Sequence, residues 1–263
     1  MMTEPVLYLL TGAVAGVSAG LLGIGGGLII VPMLFLIFSS QPGATEHAMH
    51  IALATSLATI IVTSASSTWA HHKRGAVLWS VVAALSPGII VGAWIGAQLA
   101  SVLPSDILKP VFGVFELLVA LHLLLGHQPA SAANSISRTR SLVGGIVIGS
   151  ISSIVGIGGG TLTVPFLLWH NIAIRNAVAS SAACGFPIAA AGTAAYIVSG
   201  WNADGLPAGS LGFVNLTAFL LIIITSVLTA PAGASLAHRL PQATLRLIFA
   251  LFLLVLGLKM LLF

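Results

Sequence analysis

Leu22–Pro32 reads LGIGGGLIIVP and Val155–Pro165 reads VGIGGGTLTVP, with seven of eleven positions identical. Two more correspondences follow in the same order. ATSL at Ala54–Leu57 answers ASSA at Ala179–Ala182, and GAQLASVLP, ending at Pro104, answers GASLAHRLP, ending at Pro241. The series marks an internal duplication, a pattern typical of membrane transport proteins.

Each glycine run interrupts an apolar stretch that is too long to be one straight crossing. Val6–Phe38 is 33 residues, about 50 Å as a helix, against a hydrocarbon core of about 30 Å. The GIGGG run leaves 17 residues before it and 11 after; its counterpart leaves 14 and 9. Consecutive glycines are poor helix formers, at roughly 1 kcal/mol each relative to alanine. The pattern predicts a re-entrant hairpin with its turn at the glycines.

The rest of the chain reads the same way. It has 263 residues, 58% hydrophobic and 5% charged, with a mean hydropathy of +1.13. Soluble domains carry about 25% charged residues, so lipid is the main solvent. Eight apolar stretches are expected: 6–38, 48–70, 76–100, 107–126, 142–169, 176–199, 210–236 and 243–263. His127–Ser141 divides them as a linker between a first repeat (1–126) and a second (142–263). The fold class expected is an all-α polytopic membrane protein of two inverted-topology repeats, each with a glycine-broken first segment and three spanning helices.

Charge placement supports inversion. With re-entrant first segments, Lys73, Arg74, Arg138, Arg140, Arg175, Arg239 and Arg246 share one side. The other keeps Lys109 and Lys259 with Glu4, Glu46, Asp106 and Asp204; eight plain crossings instead split the basic residues five to four. By the positive-inside rule the linker is cytoplasmic and both termini lie outside. A net charge of +4 spread over loops makes no face for nucleic acid. Cys184 stands alone, which excludes an internal disulfide and a cysteine metal cluster. The opening residues lack a basic n-region, so no cleaved signal peptide is expected.

Candidate site residues gather at the breaks. Glycine permits sharp turns and close approach of backbone to a ligand. A half-helix starting after the run presents free N–H groups and a positive dipole end. Gly25, Gly26, Gly27 and Gly158, Gly159, Gly160 therefore suit an anion, with close helix packing as the competing reading. A dinucleotide fingerprint is excluded, because that motif needs a soluble βαβ unit.

Thr55, Ser56, Ser180 and Ser181 are candidate hydroxyl donors to the anion, or else interhelical ties. Pro32 and Pro165 follow the breaks, and Pro87, Pro187 and Pro231 sit inside other apolar stretches. Glu116, the acidic residue well inside an apolar stretch, is a candidate carrier of a coupling proton, or else makes a structural hydrogen bond or faces a water-filled vestibule. His50, His122 and His170 show no metal-binding spacing, so neither metal nor cofactor is expected, and no catalytic set is evident.

The duplicated GxGGGxxxxP segments, Gly25–Gly27 with Pro32 and Gly158–Gly160 with Pro165, make the chain resemble the sulfite exporter TauE/SafE family of permeases. The resemblance covers nearly the whole chain and is supported by the ATS and ASS patches. It implies a bacterial cytoplasmic (inner) membrane protein moving small anions, often sulfur-containing ones such as sulfite or organosulfonates. The expectation is a secondary transporter working by alternating access, whose partners are a small anion, the bilayer and protons. A passive anion channel and a non-transporting assembly or sensor subunit are the alternatives, and oligomeric state is left open.

Overall fold

The computed structural model describes residues 3–22, 26–40, 46–125, 137–237 and 242–262. They form helices α1 (Thr3–Leu22), α2 (Gly27–Ser39), α3 (Ala48–Lys73), α4 (Trp79–Val102), α5 (Ser105–Leu125), α6 (Arg138–Val155), α7 (Gly160–Trp169) and α8 (Ile174–Ser199). A hairpin of β1 (Ser210–Leu211) and β2 (Val214–Asn215) precedes α9 (Leu216–Ala237) and α10 (Gln242–Leu262). Among these, α3, α4, α5 and α8 are long and apolar enough to cross a bilayer, and shorter apolar windows lie in α1, α2, α7, α9 and α10. Their outer faces carry exposed Ile90, Trp94, Leu118, Leu220 and Leu228, a surface that only lipid can solvate. This is a multi-pass, predominantly helical membrane protein.

Two expected boundaries shift. The linker does not run to residue 141, because Ser137 accepts a hydrogen bond from the Arg140 amide and starts α6 at Arg138; Ser, as an N-cap, satisfies an orphan amide there. Residues 126–136 lie outside the described residues. The stretch expected over 210–236 begins as the hairpin, with its helix starting only at Leu216.

Both first segments are broken at the glycines. α6 stops where Gly156, at φ 70°, turns into the left-handed region and its amide returns to the Ser152 carbonyl. In this cap the αL residue satisfies a late helix carbonyl, and glycine takes that conformation without a Cβ penalty. The chain then reverses. The Tyr8 and Phe38 rings lie 6.1 Å apart and Gly26 sits against the Ala15 backbone, so α2 runs back along α1. Likewise Phe166 of α7 packs on Gly144, near the start of α6, where a Cβ would lie 2.6 Å from its ring.

Small residues set the long-range packing. Added Cβ atoms at Gly88, Gly92 and Gly96 would strike the carbonyl oxygens of Leu142, Ile146 and Ser150 in turn, so α4 and α6 run parallel with backbones touching. Gly12 and Gly16 meet Ile222 and Ser226 in the same way, setting α1 parallel to α9, and Thr229 Oγ1 donates to the Ala13 carbonyl at 3.0 Å. Such four-residue spacing lets membrane helices approach closely.

At the centre α3 and α8 run antiparallel, with Leu57 against Gly192 and Ser64 against Gly185. α5 and α10 are antiparallel too, Gly113 facing Gly257 and Leu261. Replacing Gly92 by leucine is expected to wedge α4 from α6 and cost at least the roughly 1–3 kcal/mol of core overpacking. Fluorescence-detected melting in detergent checks this; an unchanged midpoint contradicts the packing.

These directions gather charge at one end. Arg175 Nη2 donates to the Arg74 carbonyl at 3.1 Å, and Asn176 Nδ2 to the Ala76 carbonyl at 2.9 Å. Because α4 and α6 are parallel, Arg138 and Arg140 lie at that end with Lys73, Arg74 and Arg175. Arg239 falls outside the described residues. Glu46, Asp106 and Lys109 lie at the opposite end, where Ser105 bonds the Glu46 carbonyl and Lys109 Nζ stands 5.8 Å over the Phe35 ring.

Candidate functional site

The two glycine breaks, far apart in sequence, meet in the middle of the molecule. A Cβ at Gly27 would lie 2.9 Å from the Gly156 carbonyl oxygen and 3.1 Å from Ile157 Cα. Gly156 in turn nests against Leu53 and Val31. Gly159 packs backbone to backbone on α8, 2.5 Å for a Cβ from the Ser181 carbonyl oxygen and 3.1 Å from the Gly185 amide nitrogen. Gly158 faces only the Ile60 side chain, at 3.3 Å. Gly26 is the left-handed residue starting α2, at φ 69°, and its carbonyl accepts from the amides of Ile29 and Ile30. Gly25 lies outside the described residues.

The first amides of α2 and α7, at Gly27–Leu28 and Gly160–Leu162, have no intrahelical acceptor by helix geometry, so two positive helix ends converge here. Pro32 and Pro165 lie inside α2 and α7 rather than ending them. Lacking an amide hydrogen, each leaves one carbonyl of the preceding turn, Leu28 or Thr161, without its usual donor.

All four expected hydroxyls are buried, and each has a structural partner. Thr55 Oγ1 accepts from the Asn215 amide at 3.0 Å, at the start of α9. Ser180 Oγ accepts from the Leu78 amide at 3.0 Å, at the start of α4. Ser56 Oγ donates to the Gly156 carbonyl at 2.8 Å, and Ser181 Oγ to the Val178 carbonyl at 2.8 Å. Ser56 and Ser181 have thus spent their single hydrogens, whereas Thr55 and Ser180 keep theirs to give.

Hydroxyls that sequence reading passed over lie beside the second break. Thr163 and Ser152 are fully buried, and their oxygens have no hydrogen-bond partner among the described residues; the same holds for the buried Thr161 oxygen. Thr163 Oγ1 would be 3.3 Å from a Cβ on Gly159, at the very start of α7. A buried hydroxyl without a partner costs about 1–3 kcal/mol, so an occupant that bonds it is favoured. The signal stood in the columns where the repeated motif differs: Thr161 and Thr163 replace Leu28 and Ile30. The two breaks differ in backbone as well as in chemistry: Gly26, before α2, is left-handed at φ 69°, whereas its counterpart Gly159, before α7, is right-handed at φ -63°.

Glu116 lies on the buried stripe Leu108–Phe112–Glu116–Ala120 of α5, fully enclosed, with both carboxyl oxygens unpartnered among the described residues. His50 Nε2 stands 3.2 Å from the Ala100 carbonyl and 2.9 Å from that of Leu103. Carbonyls only accept, so this nitrogen carries the hydrogen and ties α3 to the end of α4. His170 Nδ1 similarly bonds the Phe166 carbonyl at 2.8 Å. Both act as local braces.

A broken helix pair repeated in each half, with the breaks meeting at a buried centre, is the arrangement to set beside known proteins. A sequence profile described as "Sulfite exporter TauE/SafE" matches residues 8–260. The chain belongs to the TauE/SafE family. It is 40% identical to a "Probable membrane transporter protein" of Haemophilus influenzae, covering 99% of both chains. A relative of the same description from Methanocaldococcus jannaschii is 26% identical over 97% of this chain and 95% of its own. One from Bacillus subtilis is 24% identical over 92% and 94%. No solved structure matches at a significant level. Membership in TauE/SafE makes this a membrane transporter.

Proposed function

We propose that this TauE/SafE protein is a secondary transporter of a small oxyanion, sulfite or an organosulfonate, and not an enzyme. The observation that carries the reading is the start of α7: open amides beside the fully buried Thr163 hydroxyl, which has no partner among the described residues. An anion there accepts from the amides of Gly160–Leu162 and from Thr161 and Thr163, with Ser180, Thr55 and the Gly27 end of α2 closing the far side. Charge-assisted hydrogen bonds of this kind are about twice as strong as neutral ones.

The repeats are inverted in this reading. Its support is that α3 and α8, which follow equivalent breaks, run antiparallel, as do α5 and α10. The α1–α2 hairpin enters and leaves on the outer side and the α6–α7 hairpin on the inner side, and the basic end faces the cytoplasm of a bacterial inner membrane, placing both termini outside. The complete burial of Thr55, Ser56, Ser180 and Ser181 favours an occluded carrier with alternating access over an open pore.

A thermal-shift screen of the purified protein against sulfite, thiosulfate, sulfonates and carboxylates, followed by flux into liposomes, tests the proposal. Selective stabilisation by one sulfur oxyanion with saturable flux supports it. Stabilisation by none, together with no flux, removes it. Glu116 carries the coupling proton in this scheme. Glu116→Gln, nearly isosteric, is expected to preserve anion binding while abolishing the response of flux to an imposed pH gradient. Gradient-driven flux equal to that of the unaltered protein assigns coupling elsewhere.

A further inference from the structure

A second concavity lies beside the central site and shares Leu162 of α7 with it. It is an apolar cleft of about 490 Å³ between α5, α6 and α7, within the roughly 300–1,000 Å³ typical of ligand clefts. Its walls include Val147 and Ile151 of α6, Leu162 and Phe166 of α7, and Trp169 at its mouth. Gly144 makes the room, since Phe166 fills the space where a side chain would stand.

The charge at one end of this cleft identifies its occupant. Arg140 lies four residues before Gly144, and Val147 and Ile151 follow at seven and eleven residues from Arg140, so all four share one face of α6. Arg138 and Arg140 stand exposed in the first turn. Cations there oppose the helix dipole, which favours negative charge at an N-terminus. No acidic residue in that turn offsets them. Trp169, 59% exposed, has the amphipathic ring that sits at headgroup level.

We propose that this cleft binds one anionic phospholipid, its acyl chain along Val147 and Ile151 and its phosphate on Arg138, Arg140 and the start of α6. The phosphate relieves the unfavourable dipole contact, and the chain covers apolar surface that faces the bilayer.

Tryptophan quenching by lipids brominated on their acyl chains tests this in phosphatidylcholine vesicles. The difference between the unaltered protein and Trp169→Phe isolates the Trp169 signal. Brominated phosphatidylglycerol is expected to quench that signal at several-fold lower mole fraction than brominated phosphatidylcholine. Each of Arg138→Gln and Arg140→Gln should weaken the preference by about fivefold, from roughly 1 kcal/mol per basic residue. Val147→Phe, which fills the cleft from an exposed position, should reduce quenching by both lipids. Equal quenching by the two lipids overturns the proposal, as does a preference that survives loss of both arginines. Shielding of Trp169 from either lipid also overturns it, and means that a second copy or residues 126–136 occupy the cleft.

Discussion

Replacing Gly159 with leucine is expected to abolish anion flux, while the neighbouring Gly158→Ala leaves most of it. The difference lies in what each new side chain meets. At Gly159 a Cβ would stand 2.5 Å from the Ser181 carbonyl oxygen and 3.1 Å from the Gly185 nitrogen, both backbone atoms of α8. Neither can move without shifting the central helix, so α7 must lift away and carry its open amides out of position. At Gly158 the nearest atom is a methyl of Ile60 at 3.3 Å, which another rotamer clears. Proteoliposome uptake, with membrane insertion checked by detergent-resistant gel filtration, reads the contrast. Near-normal uptake by Gly159→Leu would disconnect the start of α7 from the cargo.

Thr163→Val separates binding from folding more sharply. Valine matches threonine in shape and removes only the buried hydroxyl that lacks a partner among the described residues. If that hydroxyl serves packing alone, the change is neutral or stabilising, because an unsatisfied polar group disappears. If it donates to a charged cargo, a bond of about 1.5–3 kcal/mol is lost, or roughly tenfold to a hundredfold in affinity. The expected result is therefore weaker binding with an unchanged or higher melting temperature. Unaltered affinity for every anion that stabilises the parent excludes Thr163 from the site. Leu28, its neighbour Ile30 and the rest of α2 offer no such hydroxyl, so the same test has no counterpart in the first half.

Much of this architecture was legible because it is local. Apolar run length and consecutive glycines mark where helices stop, and the breaks fall at Leu22–Gly27 and Val155–Gly160 as read. What could not be read depends on partners distant in sequence. Thr55 bonds Asn215 across 160 positions, and Ser180 bonds Leu78 across 102, so hydroxyls that looked free to hold a cargo also serve as caps. Their small size fits either role. The hairpin at Ser210–Asn215 is too short to give a periodic signal. Thr161 and Thr163 stand at positions where the two copies of the motif differ, so the repetition itself does not mark them.

The glycine-lined contacts of α1 with α9 and of α4 with α6 also bear on how such a molecule moves. Each joins a helix encoded before residue 126 to one encoded after 137, with main chains in direct contact. Swinging one sequence half against the other would shear both seams at once. Alternating access of the proposed kind is therefore expected to keep each seam, α1 with α9 and α4 with α6, intact. The repeated motif draws one boundary through this chain, and these seams cross it.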